Sequence, residues 1–161
     1  MEILRLSPST FRLKTKTIVV SLDNNVSINA KAKSFEIIEP GEYEVEGVSV
    51  FGFGIALDKV AYLIQTEGLR IVYLNKVQQE LTESQIEEFG RVDVLMVSAG
   101  SSAVKMVEAL EPTYVLPFEL DVPVTSFVAA YERGSREASS LSVSIATLPQ
   151  DLTEVVVLSQ S

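Results

Sequence analysis

From Glu2 to Phe53 apolar and polar positions alternate in short runs broken by turn residues, a period-two pattern that predicts strands and hairpins. Ile3–Leu6, Phe11–Lys14 and Thr17–Leu22 read as a meander, with Asp23-Asn24-Asn25 as a turn. Phe35–Ile38 runs into Pro40-Gly41, where proline fixes one backbone angle and glycine permits an unusual next one. Glu42, Glu44 and Glu46 recur at period two, which predicts a solvated edge strand guarded by charge. Val48–Phe53 alternates into another strand, and Val60–Thr66 and Leu69–Leu74 flank Glu67-Gly68 as a tight hairpin.

After Leu74 helix signals alternate with fully apolar runs. Thr82 stands three residues before Gln85 as a capping box and Gly90 supplies a stop, so Glu83–Phe89 is a short amphipathic helix. Val92–Ser98 reads as a buried strand, and Ser102 as the cap of a helix over Ala103–Leu110 that ends at Glu111-Pro112. Tyr114–Leu116 is a strand, Thr125 opens a helix to Arg133 before Gly134, and Ser142–Ala146 and Glu154–Leu158 are closing strands. A meander followed by alternating helix and strand implies a mixed α/β layered fold, with strands packed on strands and helices outside.

Composition narrows the chemistry sharply. The 161 residues contain no His, no Cys and no Trp, which excludes serine–histidine and cysteine–histidine nucleophiles, zinc knots, haem ligation through either residue and disulfides. Any metal site would use oxygen ligands alone, which suits magnesium, calcium or manganese better than zinc. With 47% apolar and 22% charged residues, the chain has the make-up of one globular domain, residues 1–161, with a well-buried core. Its net charge of −9 repels phosphate backbones and anionic lipid, so neither nucleic acid nor a membrane surface is an expected partner. No apolar run approaches the length of a membrane span or a signal-peptide core, and the expected location is cytoplasmic.

Three local patterns could carry chemistry. Gly52-Phe53-Gly54 resembles the start of a phosphate loop, but no third glycine, lysine or helix follows, and two glycines easing a strand end explain it better. The three glutamates lie about 7 Å apart along a strand face, too wide for consecutive members to chelate one ion tightly. Ser98-Ala99-Gly100-Ser101-Ser102 joins a strand to a helix, where backbone N–H groups could receive an anion, and Lys105 one turn on could serve a serine as base. Helix capping is the simpler reading of that segment.

Several longer stretches together resemble the metallo-β-lactamase superfamily, in particular its small single-domain prokaryotic hydrolases. Leu6-Ser7-Pro8-Ser9-Thr10-Phe11-Arg12-Leu13 is similar to the opening strand pair, and Pro40-Gly41-Glu42-Tyr43-Glu44-Val45 to the family's Pro-Gly-Glu-Tyr-Glu turn. The likeness continues through Gly68, Tyr73-Leu74, Glu80-Leu81-Thr82 and Val92-Asp93-Val94-Leu95 to Leu110-Glu111-Pro112 and Leu116-Pro117. It implies a four-layer αββα sandwich, here truncated because too few residues separate Asn25 from Phe35 to hold the family's His-x-His-x-Asp-His loop.

The same resemblance locates a degenerate reaction centre. Pro8 stands where the family has a histidine, Asn75-Lys76 where it has Gly-Asp with a metal-bridging aspartate, and Glu119 where it has a final histidine; Asp23 resembles an aspartate that backs the metal ligands. A lysine at the bridging position opposes a divalent cation. The expected function is therefore a non-catalytic domain acting through self-association, most simply as a homo-oligomer, or through a protein or small-ligand partner, with no catalytic residues and no cofactor in place of the family's zinc. The alternative is a hydrolase holding weak magnesium or calcium on Asp23 and Glu119. Fold alone does not decide between them, because function resides in the site.

Overall fold

A computed structural model describes residues 1–161. The meander forms β1 (Glu2–Arg5), β2 (Phe11–Lys14), β3 (Val19–Leu22), β4 (Val26–Asn29) and β5 (Ser34–Ile37). The chain then crosses to a second sheet through Pro40 and continues as β6 (Gly41–Val45), β7 (Val48–Ala56), β8 (Lys59–Thr66) and β9 (Leu69–Leu74). There follow α1 (Glu83–Phe89), β10 (Val94–Ser98), α2 (Ala103–Leu110), β11 (Tyr114–Phe118), α3 (Val124–Tyr131), β12 (Arg136–Ala138), β13 (Ser140–Ser142) and β14 (Glu154–Leu158). One sheet has six strands in the order β13-β1-β2-β3-β4-β5, and the other eight in the order β12-β14-β11-β10-β9-β8-β7-β6.

The two sheets pack face to face. Alternate residues of the meander, including Phe11, Leu13, Val20, Leu22, Val26 and Ile28, meet Val50, Ile64, Ile71, Met96 and Leu116 of the larger sheet in one core. The opposite face of the larger sheet carries Leu63, Val72, Leu95, Val97 and Val115, which pack under Phe89 of α1, Met106 and Leu110 of α2, and Phe127 and Tyr131 of α3. Being covered on both sides, β10 and β11 are buried along their whole length, as parallel strands with continuous apolar sequence should be. The layers are helix, larger sheet and smaller sheet, so the truncation of the αββα sandwich extends to the second helix layer: all three α-helices lie on the larger sheet, while Arg12, Lys14 and Glu36 stand exposed on the outer face of the smaller one. No helix is long and apolar enough to cross a membrane.

Pro117 lies inside β11, which the loss of an N–H normally forbids for a central strand. Its neighbour Phe118 accepts from Ala99 N on the β10 side, so residue 117 points toward β14, whose pairing with β11 has already ended at Val115. The missing donor therefore has no ladder partner to lose.

Several expectations need correction. The strand expected over Ser142–Ala146 is instead β13 at Ser140–Ser142, followed by a turn of 3-10 helix over Ile145–Thr147. The ladder ends once Ser142 has paired with Glu2, at the start of β1, and the Ser144 and Thr147 hydroxyls, 2.9 Å apart, with Thr147 N on Ser144 O, close the chain locally. α3 stops at Tyr131 rather than Arg133 because Glu132 adopts left-handed geometry and bonds Val128 O. Ser102 does not cap α2, since its hydroxyl donates to Gln78 O at 2.7 Å and so pins the segment after β9 to the helix start. Glu46 leaves the edge strand, at φ 47° in the β6–β7 turn, so only Glu42 and Glu44 guard it. Gly52 and Gly54 lie within β7 rather than at its end; a Cβ on Gly52 would sit 3.1 Å from Glu39 O, so the glycine admits the crossing between the sheets.

Asp93 ties the start of β9 to the segment leading into β10. It is 1% exposed, accepts Arg70 N at 2.8 Å, and pairs with both Nε and a terminal nitrogen of Arg91 at 3.1 Å. Asp93→Ala orphans the Arg70 N–H and removes a bidentate partner, and is expected to cost about 2–3 kcal/mol in urea unfolding.

Candidate functional site

The five positions singled out in the sequence come together at one end of the sandwich. Pro8 lies in the β1–β2 turn, Asp23 in the β3–β4 turn, Asn75 and Lys76 directly after β9, and Glu119 directly after β11. Glu119 N donates to Pro8 O at 3.3 Å. Asn75 Nδ2 donates to Asp23 O at 2.6 Å, and Lys76 Nζ to Asn24 Oδ1 at 2.7 Å. Lys76 holds φ 59°, a left-handed geometry uncommon for a residue of its size, and turns the chain away from β9.

Two residues not counted among the candidate positions organise this end. Tyr73 is wholly buried; its hydroxyl donates to Asp23 O at 2.6 Å and its ring tilts against Phe118, which meets Phe11 edge-on. Burial, with the Asp23 carboxylate beside it, pushes the Tyr73 phenol far above its usual range, so it remains a neutral donor. Arg5 is 6% exposed, and its guanidinium donates to Ser7 O, to Pro8 O at 2.9 Å and to Leu158 O, with Glu119 Oε2 3.9 Å away. The signal for Arg5 was present in the alternation of β1: Glu2 and Leu4 occupy the outward phase and Ile3 the inward one, and Arg5 shares the phase of Ile3.

The remaining sequence candidates do not join this group. Lys105 pairs with Glu80, and that hydrogen bond raises the lysine above its ordinary range, so the amine stays charged and cannot act as base to Ser98 or Ser102. Nor do Glu42 and Glu44 build a metal site, since no three Asp or Glu side chains cluster anywhere in the chain.

A family model described as a beta-lactamase superfamily domain matches residues 12–119, well over half of the sequence. The chain belongs to the metallo-β-lactamase superfamily. A Thermotoga maritima protein, described as a candidate Zn-dependent hydrolase of this superfamily, superposes with a TM-score of 0.76 at 20% identity, covering 99% of this chain and 100% of its own. The metallo-β-lactamase-fold protein YhfI of Bacillus subtilis aligns with a TM-score of 0.49 at 11% identity, covering 76% of this chain and 52% of its own. No curated protein matches.

Zinc, the metal this superfamily implies, does not fit the residues present. Glu119 is the sole carboxylate side chain that the hydrogen bonds and ion pairs carry to the centre, and it faces the Arg5 guanidinium while accepting Val124 N at 3.4 Å. A buried cation already holds the carbonyls of Ser7, Pro8 and Leu158, where a second cation would be repelled.

Removing Arg5 should therefore cost more than a surface charge does. Arg5→Met leaves three carbonyls and Glu119 without their shared donor, and is expected to lower unfolding stability by about 3 kcal/mol in urea titrations. The pH profile follows from other groups. Burial acts to raise the Glu67 carboxyl, yet hydrogen bonds from the N-terminal ammonium and Lys16 N hold it below its ordinary 4.5, so its contribution is present above that pH and lost as pH falls. Tyr73, Tyr62 and Tyr114 are all raised above 10.0, so their contribution is present below that pH and lost as it rises. Thermal melts should be flat through neutrality and fall on both sides, and a step near pH 6.5 would contradict this assignment.

Proposed function

We propose that this metallo-β-lactamase-fold domain is non-catalytic and acts by binding. The observation that carries the reading is the Arg5 guanidinium, which satisfies the turn carbonyls and faces Glu119 in the region where the superfamily resemblance locates a metal. A fixed arginine supplies charge and hydrogen bonds without a Lewis acid or an activated water, and so keeps the scaffold while leaving no nucleophile to deliver. The hydrolase alternative, with magnesium or calcium on Asp23 and Glu119, lacks a third carboxylate to complete a coordination sphere.

The binding partner we favour beside a small ligand is a second copy of the chain. β5 is the open edge of the six-stranded sheet, and Phe35 on it, with Leu57 at the β7–β8 turn, stays exposed. Such uncovered edges commonly become symmetric interfaces.

Metal analysis of the full chain purified without chelator tests the central point, with far less than one zinc per chain expected after dialysis. The double variant Lys76→Asp with Glu119→His should fold, bind zinc no better than micromolar in isothermal titration, and leave chromogenic lactams and phosphodiesters intact, because its coordination number stays short of four. Stoichiometric zinc in the parent chain, or metal-dependent turnover, would overturn the reading. Light scattering should report a dimer, and monomer alone at micromolar concentration would remove self-association.

A further inference from the structure

The free edge of β5 has a definite hydrogen-bonding phase. Ala30 N donates to Lys33 O at 3.0 Å and Lys33 N to Ala30 O at 3.3 Å, so these residues close the β4–β5 hairpin as a bonded pair. Bonded and non-bonded pairs alternate along an antiparallel ladder. Phe35 and Ile37 therefore turn their backbone groups toward Ile28 and Val26, while Ser34 and Glu36 turn theirs outward. No other part of the chain takes up the outward N–H and C=O groups of Ser34 and Glu36. Such a row is a template for another strand.

Charge decides which edge can accept a second copy. Counted in the same way from the two-residue turn at Glu46-Gly47, the outward positions of β6, the edge of the larger sheet, are Glu42 and Glu44. Every antiparallel register between two copies that pairs these positions sets one glutamate opposite another, so β6 rejects its own copy. The β5 segment instead runs from Lys31 and Lys33 at its start to Glu36 and Glu39 at its end, and none of the four makes an ion pair within the chain. An antiparallel copy brings the cationic end of each strand beside the anionic end of the other.

The phase then narrows the register. Centring on Ser34 pairs that residue with its own copy but leaves Glu36 opposite Ala32, which lies in the hairpin turn. Centring on Glu36 sets two carboxylates face to face. Centring on Phe35 engages the outward groups of Ser34 and Glu36 in both copies and places the two Phe35 rings in the close, non-bonded pair. Lys33, whose ammonium lies 5.1 Å from the Phe35 centroid, then stands diagonal to the second ring as well. Glu36 is diagonal to its own copy, but Asn25 Nδ2 draws its carboxylate back toward the β3–β4 turn at 3.1 Å.

We propose that the chain forms a two-fold dimer by antiparallel pairing of β5 with β5 of a second copy, centred on Phe35, so that the two six-stranded sheets become one continuous sheet across the axis. The proposal rests on the self-association reading and fixes its edge and register. Because the same strand serves both copies, the interface closes at the dimer and does not grow into a filament.

Because the chain has no cysteine, single substitutions in the full chain report the register by oxidative cross-linking. In a non-bonded antiparallel pair the Cα atoms lie about 4.5 Å apart, within disulfide reach. Phe35→Cys should therefore yield covalent dimer about tenfold or more faster than Ser34→Cys, which is diagonal to its own copy, or than a substitution of the exposed Leu57, Leu57→Cys. Glu36→Pro removes an outward N–H that β4 does not use, and should raise the dimer dissociation constant in sedimentation equilibrium about tenfold or more. Glu36→Gln keeps the N–H and should leave that constant within about threefold of the parent. Equal cross-linking at the three sites, faster cross-linking of Ser34→Cys than of Phe35→Cys, or an unchanged dissociation constant in Glu36→Pro would each overturn the proposal. Light scattering of the parent chain reports separately on self-association. A dimer without preference for Phe35→Cys rejects this register alone, and a monomer at micromolar concentration rejects the reading on which it rests.

Discussion

A buried guanidinium is tolerable only where its donors are used and its charge is answered, and that constraint organises one whole end of this protein. Arg5 leaves β1 on the inward phase and gathers the carbonyls of Ser7 and Pro8 from the following turn and of Leu158 from β14, with Glu119 after β11 in reach. Arg5 thus joins the two sheets at their rim. Around it, Phe11, Phe118 and Tyr73 pack ring against ring and fill the space below, and the Tyr73 hydroxyl fixes the β3–β4 turn through Asp23 O.

This arrangement explains how a superfamily scaffold persists with no histidine. In a metal centre the ion is the hub that draws several loops to one point, and binding free energy contributes to folding. Here the Arg5 charge performs the gathering, Tyr73 and Asn75 hold the neighbouring turn, and Lys76 anchors to Asn24. These contacts hold the strand ends together in a chain with no histidine.

Much of the fold was legible in the sequence because its patterns are short-range and repetitive. Period-two alternation located β1, β2, β3 and the β8–β9 hairpin, and Thr82 with Gln85 does form the reciprocal capping box that starts α1. The failures come where a side chain answers to a distant partner. Ser102 looks like a cap by position, but the carbonyl of Gln78, 24 residues earlier, claims its hydroxyl. β4, four residues after a turn, and β12, three residues of mostly exposed sequence, offer too little pattern to be read and exist because β3 and β14 supply their ladders. Pro8, Asp23, Asn75, Lys76 and Glu119 were named by resemblance, and they lie at one end of the sandwich with Pro8 hydrogen-bonded to Glu119, Asp23 to Asn75, and Lys76 to Asn24. Arg5 was reachable by phase alone, since a charged residue on the buried face of a strand must be held by something.

The resident charge at the rim is either the Arg5 guanidinium or a metal ion. The most direct measurement follows the Arg5 guanidinium resonances, together with the amides of Glu119 and Val124, while zinc is titrated into the ¹⁵N-labelled protein. Slowly exchanging guanidinium protons that keep their shifts through stoichiometric zinc are the expected result. Loss of that protection, with saturable changes at Glu119 and Val124 at one equivalent of zinc, would contradict it.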